Sequence, residues 1–280
     1  MIPQKFRKRF ARSENTKFII FFDFDETYFP HECSKEQLKD LRQLENYLKK
    51  LSLKHSVKIG WVTGSDIHQI LQKVEKANIA YAPHFIASNL GTEIYHVTDD
   101  GSIKEDSEWE RLLKRTSYST KVVKEIVREL SDLYNIKLVE QTQLGQRKYK
   151  QNYYYFKRSI PECTYHLNII KQLCKVNKIG LNINVCNPNA GDPQGAFDVD
   201  FIPLKTGKKE IVKFMTNYYN VPLSHTIAFG DSGNDIKMLK YVHHGYLLAN
   251  ATTEAKNSHD KITETDYSQG ILEILRRIFK

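Results

Sequence analysis

Two aspartates, Asp23 and Asp25, follow directly after the five apolar residues FIIFF. Burying unpaired carboxylates is costly, so the pair has two interpretations. The acids could end a strand and face water. They could instead hold a cation and take part in a reaction, one as a nucleophile and the other in proton transfer. The pair alone leaves both interpretations open.

Two further polar segments follow predicted strands. VTGS contains Thr63 and Gly64, and GDSGND contains Asp231 and Asp235, four residues apart. Taken alone, an acidic turn of this kind is more often a helix cap than a metal site. In an open parallel sheet, however, ligands bind beyond the carboxyl ends of the strands. The three segments could therefore converge on one site.

The order of elements predicts the scaffold for these segments. Strand-like and helix-like patterns alternate up to about residue 90 and again from 197 onwards. This alternation is typical of an α/β protein, here a Rossmann-like three-layer core with a central parallel sheet. The intervening residues mix a hairpin, short strands and helices. We predict a core domain of residues 1–90 and 197–280, interrupted by an inserted α+β domain of residues 91–196.

Composition narrows the classes of function. The 280 residues carry a net charge of +9, which suits a nucleic-acid partner or an anionic small substrate. No RNA-binding motif, zinc-finger spacing or phosphate-binding GxxxxGK[ST] loop is present. No apolar run approaches the roughly 20 residues that cross a bilayer. The four cysteines form no CxxC pair, and we expect a cytoplasmic protein that binds neither nucleic acid nor membrane.

DFDET, VTGS, a lysine opening a helix, and GDSGND occur in this order. The ordered set resembles the haloacid dehalogenase superfamily of aspartate-nucleophile phosphatases, and the resemblance covers the whole chain. The position of the insert is similar to that of the large α/β cap in one branch of the superfamily. IASNLGTEIY, at residues 86–95, resembles the corresponding segment of sucrose-phosphate phosphatases.

The resemblance implies a mechanism. Asp23 is expected to attack phosphorus, and Asp25 to protonate the leaving sugar oxygen and then activate water. Mg²⁺ is the implied cofactor, held by Asp23, the backbone carbonyl of Asp25, and Asp231. Asp235 is expected to hold a ligand water or to orient a neighbouring group. Thr63, with the Gly64 amide and Asn234, is expected to bind the phosphoryl oxygens.

The active-site lysine has two candidates, Lys205 and Lys208. In the family this lysine precedes a helix that carries apolar residues three, four and seven positions later. From Lys208 those positions are Ile211, Val212 and Met215. Lys208 therefore fits best as the catalytic and phosphate-binding lysine, and Lys205 stays the alternative.

Substrate recognition is less sharply indicated. Asn89 and Gly91 lead into the insert, and Asn187 and Asp198 lie near its end. We expect these four to contact substrate, although each is also an ordinary turn former. Glu26 occupies a position that is commonly glycine or asparagine in relatives, which puts the substrate more in doubt than the reaction.

The expected partner is a small sugar phosphate. A narrower resemblance, to bacterial phosphatases of aminosugar antibiotic biosynthesis, implies kanosamine 6-phosphate. Another hexose or disaccharide phosphate, such as glucose 6-phosphate or sucrose 6-phosphate, is the alternative. Two other interpretations remain open. One is a phosphotransferase that uses Asp23 in the same way, and the other is a nucleic-acid-binding module, which would leave the spacing of the aspartates unexplained. A monomer and a homodimer are equally compatible with the sequence.

Overall fold

The structure is a computed structural model, and it describes residues 6, 8–11, 15–141, 146–186, 188 and 191–280. In chain order its strands are β1 Phe18–Phe22, β2 Val57–Val62, β3 Phe85–Ser88, β4 Glu93–Val97, β5 Ile103–Glu105, β6 Val139–Glu140, β7 Gln146–Arg147, β8 Lys150–Phe156, β9 Ile179–Val185, β10 Ala196–Pro203, β11 Thr226–Gly230 and β12 His244–Leu247. Its α-helices are α1 Lys35–Lys54, α2 Ile67–Lys76, α3 Ser107–Leu113, α4 Thr120–Tyr134, α5 Ile160–Val176, α6 Lys208–Tyr218, α7 Ile236–Leu239, α8 Thr253–Lys256 and α9 Tyr267–Ile278.

The chain forms two compact units, which we call the first and the second unit. The first unit comprises Met1–Asp106 and Gly207–Lys280, and the second comprises Ser107–Thr206. The first unit is built on a seven-stranded sheet in the order β12-β11-β1-β2-β3-β4-β5. The strands from β12 to β3 pair in parallel, and β4 and β5 add an antiparallel edge. The predicted α/β class is confirmed, and the sheet is mixed rather than parallel throughout.

The centre of the first sheet is apolar on both faces. In β1 the residues from Ile19 to Phe22 are buried, and β2 is buried over its whole length. Central parallel strands covered by helices on both sides need such continuous apolar runs. Helix α1 begins at a capping box, in which the side chains of Ser34 and Gln37 each accept a hydrogen bond from the other's backbone N–H. Its leucines at positions 41, 44, 48 and 51 are buried and form the apolar face of the helix.

The second unit is a five-stranded antiparallel sheet with helices on one face. Its main order is β6-β8-β10-β9, and β7 pairs with β8. Helices α4 and α5 contribute Val123, Ile126 and Ile170 to an apolar core. The sheet contributes Val199 and Phe201 to the same core. Alternate residues of a strand point to opposite faces, so the other face of β8, β9 and β10 carries the remaining side chains.

The boundaries of the units differ from the predicted ones at both ends of the insert. Residues 91–106 belong to the first unit, because the β4–β5 hairpin extends its sheet. Residues 197–206 belong to the second unit, because β10 is a central strand there, paired with β8 on one side and β9 on the other. The alternation of FDVDF accounts for this strand: its aromatic and valine residues enter the core, and its aspartates lie on the opposite face.

Within the described part of the chain, no helix combines the length and the apolar character that crossing a membrane demands.

Candidate active site

Three neighbouring strands of the first unit deliver the predicted acids and hydroxyl to one edge of the sheet. Strands β11, β1 and β2 are adjacent and parallel, so their carboxyl ends meet at the same edge. Asp23 follows β1, Thr63 follows β2 and Asp231 follows β11. Phe24, between the two aspartates, is fully buried and packs on Trp61 with ring centroids 4.8 Å apart. The core thereby anchors the turn that carries Asp23 and Asp25.

Lys208 connects the first and last of the four motifs. Its Nζ lies 2.8 Å from Asp23 Oδ1 and 2.7 Å from Asp235 Oδ1, and the residue is only 4% exposed. It is the first residue of α6, and the residues three, four and seven positions later are buried. Lys205, the alternative lysine, is exposed and lies in the left-handed region with φ 63°. Only Lys208 of the two contacts the carboxylates.

Asp235 is held by the loop that bears it. Its Oδ2 accepts hydrogen bonds from the backbone N–H groups of Asp231 and Ser232, each at 3.1 Å. A side chain at Gly230 would collide with it, since a Cβ there would lie 2.4 Å from Asp235 Cγ. Asp231 is oriented by Thr27, whose hydroxyl donates to Asp231 Oδ1 at 2.8 Å. Each acid of this loop therefore has a partner that fixes its position.

Asp23, Asp231 and Asp235 form a buried cluster of carboxylates. One oxygen of each lies within 4.8 Å of the others. Burial raises the pKa of Asp23 to about 7, with Asp235 adding to the effect and Lys208 opposing it. Burial raises the pKa of Asp231 well above its usual value, and Asp23 and Asp235 add to this. The cluster therefore holds more negative charge than Lys208 balances.

Lys208 stays protonated despite its burial. Loss of solvent alone would lower its pKa, but Asp23 and Asp235 outweigh that effect and raise it. The cluster then combines three carboxylates with a single ammonium group. Hard divalent cations such as Mg²⁺ prefer carboxylate oxygen ligands. The donor set therefore fits a bound Mg²⁺, which would supply the missing positive charge.

Asp25 has a different environment from Asp23. Its Oδ2 accepts hydrogen bonds from the hydroxyls of Ser65 and, at 3.4 Å, Thr63. Lys73, from α2, forms an ion pair with its Oδ1, and His31 lies 4.0 Å away. Burial alone would raise the pKa of Asp25, but Lys73 outweighs it, with help from Ser65 and His31, and lowers the pKa. The two aspartates thus have pKa values shifted in opposite directions.

Sequence reasoning did not assign roles to Ser65 and Lys73. Ser65 was within reach, since it directly follows the Thr-Gly pair of the VTGS segment. Lys73 gave no signal, because it lies 48 residues from Asp25 on a helix whose other charged residues face outwards. Only the packing of α2 brings its ammonium group to that carboxylate.

Thr63 and Asn234, which are two of the predicted phosphate-binding residues, lie in the loops that follow β2 and β11. Thr63 is buried, and its hydroxyl oxygen accepts a hydrogen bond from the Ser65 N–H at 3.0 Å. Asn234 is half-buried, and its Oδ1 accepts from the Ser232 hydroxyl at 3.2 Å. Gly64 lies between Thr63 and Ser65, where a Cβ would come 3.3 Å from the side chain of Leu90.

Glu26 forms hydrogen bonds with two residues from the C-terminal part of the first unit, Asn250 and Tyr267. It lies in the left-handed region, at φ 56°, which costs energy for a residue with a side chain. Its carboxylate accepts hydrogen bonds from the His31 N–H at 2.7 Å and the Tyr267 hydroxyl at 2.6 Å. Its backbone oxygen accepts from the Asn250 side chain at 2.7 Å. These hydrogen bonds offset the backbone strain at Glu26, and they connect the loop after β1 to residues 250 and 267.

Asn89 and Gly91 lie in a buried turn of the first unit. The Asn89 amide donates to Glu93 at 3.0 Å and to Asp66 at 3.4 Å, and the residue is fully buried. This burial argues against the predicted direct contact with substrate. A Cβ at Gly91 would lie 2.6 Å from the side chain of Ile211, so the glycine lets this turn approach α6.

The other two predicted substrate residues belong to the second unit. Asp198 is half-buried on β10, and its Oδ1 lies 3.4 Å from the Asn152 amide nitrogen. Asn187 lies outside the described residues.

The fold and these motifs have counterparts among known proteins. The model of the sucrose-6F-phosphate phosphohydrolase family matches residues 16–278. The chain is 45% identical to kanosamine-6-phosphate phosphatase of Bacillus subtilis, over 97% of this chain and 96% of that protein.

Two solved structures extend the comparison. A haloacid dehalogenase-like hydrolase from Bacillus subtilis superposes with a TM-score of 0.77 at 43% identity, covering 97% of this chain and 95% of that one. A sucrose-phosphatase from Synechocystis, solved with sucrose and phosphate, gives a TM-score of 0.72 at 18% identity, over 94% and 98% of the two chains. At that identity, the second structure supports the fold alone.

Proposed function

The chain belongs to the sucrose-6F-phosphate phosphohydrolase family, and we propose that it is a Mg²⁺-dependent phosphatase that hydrolyses kanosamine 6-phosphate to kanosamine and phosphate. The observation that carries this proposal is the buried cluster of Asp23, Asp231 and Asp235 around Lys208. The identity with a kanosamine-6-phosphate phosphatase supports this choice of sugar. The free cysteines support a reducing compartment, and we propose the cytoplasm.

Asp23 is the proposed nucleophile. One of its carboxylate oxygens forms a bond to phosphorus while the bond from phosphorus to the sugar oxygen breaks. Asp25 gives its proton to that departing oxygen, so the sugar leaves as an alcohol. The product of this step is a phosphoaspartate at Asp23. Splitting one difficult displacement into two easier ones lowers the barrier.

Water completes the reaction in a second step. Asp25, now ionised, takes a proton from a water molecule as its oxygen bonds to phosphorus. The bond between phosphorus and Asp23 breaks, which releases phosphate and restores the carboxylate. The ion pair with Lys73 and the hydrogen bond from Ser65 favour the ionised Asp25 that this step requires.

Lys208 and the polar groups of the second motif would hold the phosphoryl group. The Lys208 ammonium already lies against Asp23, where it can offset the charge that develops during attack by an anion on an anion. We assign contacts with the phosphoryl oxygens to the Thr63 hydroxyl, the Gly64 amide and Asn234. These groups supply preorganised donors, which are worth more in a site shielded from water.

Asp23, Asp231 and the backbone carbonyl of Asp25 would hold Mg²⁺, with Asp235 acting through a ligand water or a neighbouring group. When bound, the ion would orient the phosphate and neutralise charge on it. Asp235 also holds Lys208 at 2.7 Å. Its proposed role is therefore to position that lysine as well as the metal environment.

The experiment that tests this function is phosphate release from a panel of sugar phosphates. The panel comprises kanosamine 6-phosphate, glucosamine 6-phosphate, glucose 6-phosphate and sucrose 6-phosphate, each with Mg²⁺ and with a chelator. We expect fastest release from kanosamine 6-phosphate, only with Mg²⁺, and its loss in Asp23→Asn. Asp132→Asn, at an exposed position on α4, is the matched control for the same charge change.

The remaining outcomes of that panel discriminate the alternatives. Equal, slow release from every sugar would refute the kanosamine assignment but leave the phosphatase chemistry. Transfer of the phosphoryl group to an added alcohol in preference to water would identify a phosphotransferase. No turnover of any substrate by the folded protein would refute the proposed enzyme.

A further inference from the structure

Strand β9 forms one edge of the sheet in the second unit. It is the last strand in the order β6-β8-β10-β9, and all seven of its residues pair with β10. Among the described residues, none outside β10 forms a backbone hydrogen bond with Ile179–Val185. An edge strand of this kind offers a row of backbone N–H and C=O groups to another strand.

The pairing with β10 decides which backbone groups of β9 face outwards. The Cys186 N–H, just beyond the end of β9, donates to the Ala196 carbonyl at 3.1 Å. In an antiparallel pair, residues that exchange hydrogen bonds alternate with residues that do not. Counting back from Cys186, every second residue directs its backbone groups towards β10. The residues between them direct theirs to the free edge, and these are Ile179, Leu181, Ile183 and Val185. Pro203, which has no N–H to donate, pairs with Ile179 in keeping with this pattern.

The other described edges of the two sheets have features that discourage pairing with another chain. β5 has three residues, of which two are Lys104 and Glu105, and β6 and β7 have two residues each. At β12 the Leu247 N–H donates to the Lys261 carbonyl and the Leu247 carbonyl accepts from Thr263, so that edge is covered. Soluble proteins avoid edge-to-edge association with short, charged or covered edges. β9 has none of these features, since IGLNINV contains seven residues without a charge or a proline.

The sequence of β9 is complementary to itself in the antiparallel direction. With Asn182 on a twofold axis, Leu181 lies opposite Ile183 of the partner subunit. Ile179 lies opposite Val185 of the partner subunit. Apolar side chains then meet on the helix face of the sheet, and glycine and asparagine side chains meet on the other face. Every outward-facing backbone group of β9 also gains a partner, and cross-strand pairs of this kind stabilise a sheet.

Exposed apolar residues and opposite charges lie at the two ends of this edge. Val185 is 47% exposed, and Val176, the last residue of α5 before β9, is 77% exposed. The twofold arrangement brings the end with Val185 to the end of the partner strand that follows Val176, which removes apolar surface from water. Lys178 precedes β9, and Asp192 lies beside Cys186 at its other end. The same arrangement therefore brings opposite charges together at each end.

We propose that two copies of the protein associate through β9, so that their five-stranded sheets join into one continuous antiparallel sheet. The interface is isologous, because a twofold axis passes through Asn182 and each copy contributes the same strand. The α5 helices of the two copies lie on the same face of the joined sheet. The inference goes beyond the proposed function and does not depend on the reaction.

Analytical ultracentrifugation of the full-length protein measures the association. We expect a dimer with a dissociation constant of about 10 µM or below. Val185→Lys should raise that constant by about tenfold or more, because each dimer would bury two lysine side chains. Leu133→Lys, at a 70% exposed position on α4, is the matched control and should leave the constant unchanged.

A pair of cysteine variants tests the register. In the proposed dimer Asn182 faces its own counterpart in a non-hydrogen-bonded pair, where Cα atoms lie about 4.5 Å apart. A disulfide spans that distance. Asn184 lies on the same face but opposite Gly180 of the partner subunit, so its own counterpart is about 14 Å away along the strand. Under mild oxidation with copper phenanthroline, Asn182→Cys should form a covalent dimer, whereas Asn184→Cys and the wild type should not.

Three results would overturn the inference. The protein could sediment as a monomer at every concentration, Val185→Lys could leave the dimer as tight as Leu133→Lys does, or Asn184→Cys could cross-link as fast as Asn182→Cys. The cross-linking result does not depend on the lysine variants, so a folding defect in Val185→Lys would still leave the register tested. None of these measurements involves phosphate release, so the failure of the proposed function would be a separate result.

Discussion

The carboxylate cluster should make the stability of the metal-free protein fall as pH rises. In the folded protein, burial raises the pKa of Asp23 from 3.8 to about 7, against the opposing effect of Lys208. A folded-state pKa above the unfolded one means that the folded state holds the proton more firmly. The resulting stabilisation is full below the unfolded value and is lost as pH rises through the folded one.

The size of this effect follows from the shift. About three pKa units correspond to about 4 kcal/mol in the free energy of unfolding. Of this, about 3 kcal/mol should disappear between about pH 5 and pH 8, while most of the remainder is lost below pH 5 and almost nothing above pH 8. A bound divalent cation favours the ionised carboxylates. Mg²⁺ should therefore abolish most of the decline.

Urea unfolding of the wild type and of Asp23→Asn measures the effect. Both proteins are unfolded across that pH range with a chelator, and again with saturating Mg²⁺. Titrating groups that do not interact with Asp23 cancel in the difference between the two proteins. We expect the wild type to lose about 3 kcal/mol relative to the variant in chelator. A difference that stays constant with pH, or that Mg²⁺ leaves unaltered, would refute the electrostatic account of the cluster.

Three further changes test the groups around the site. Lys73→Met should shift the basic limb of the pH profile of kcat/KM to higher pH, because it removes the cation that lowers the pKa of the proton donor Asp25. Lys73→Arg should restore the wild-type profile. Identical profiles for Lys73→Met and the wild type would contradict this role. Tyr267→Phe should lower the free energy of unfolding by about 1.5 kcal/mol, because Glu26 loses the hydrogen bond from the Tyr267 hydroxyl. A urea unfolding curve that coincides with that of the wild type would contradict this prediction. Gly230→Ala should weaken Mg²⁺ binding, measured by calorimetry, by about 10- to 100-fold, because the added Cβ displaces Asp235; unchanged affinity would show that the loop can adapt.

The convergence of Asp23, Thr63 and Asp231 could be predicted from the sequence because each of these residues directly follows a strand. Once β1, β2 and β11 are parallel neighbours, their carboxyl ends must converge. The choice of Lys208 could also be made from the sequence. Its position relative to Ile211, Val212 and Met215 fixes which lysine opens the buried face of α6. The periodicity of apolar residues along a helix is therefore enough to identify the lysine at its start.

The extent of the insert was harder to predict, because it depends on strand pairing. The local sequence GTEIYHVTDDGSIKE does not indicate whether its hairpin extends an existing sheet or begins a new one. In the structure the hairpin extends the sheet of the first unit. AFDVDFIP alternates clearly, but its place at the centre of the second sheet depends on partners before it in the chain. Pairing over such distances leaves no local trace.

The residues missed at the site share that cause. Lys73 reaches Asp25 because α2 packs beside the motif, and no spacing rule links the two. Glu26 was noted as unusual, but its bond to Tyr267 joins positions 241 residues apart. Sequence patterns therefore predicted the groups proposed to react, while the packed structure was needed to find those that tune and hold them.

The most direct test of the central claim is a search for the phosphoaspartate. Asp25→Asn is mixed with p-nitrophenyl phosphate and Mg²⁺, quenched in acid within one turnover, and digested for mass spectrometry. This substrate has a good leaving group and needs no proton donor, so the first step should proceed while the second lacks its base. The account predicts one phosphoryl group on the peptide that contains Asp23. Release of nitrophenol with no phosphorylated Asp23, or wild-type turnover by Asp23→Asn, would contradict it.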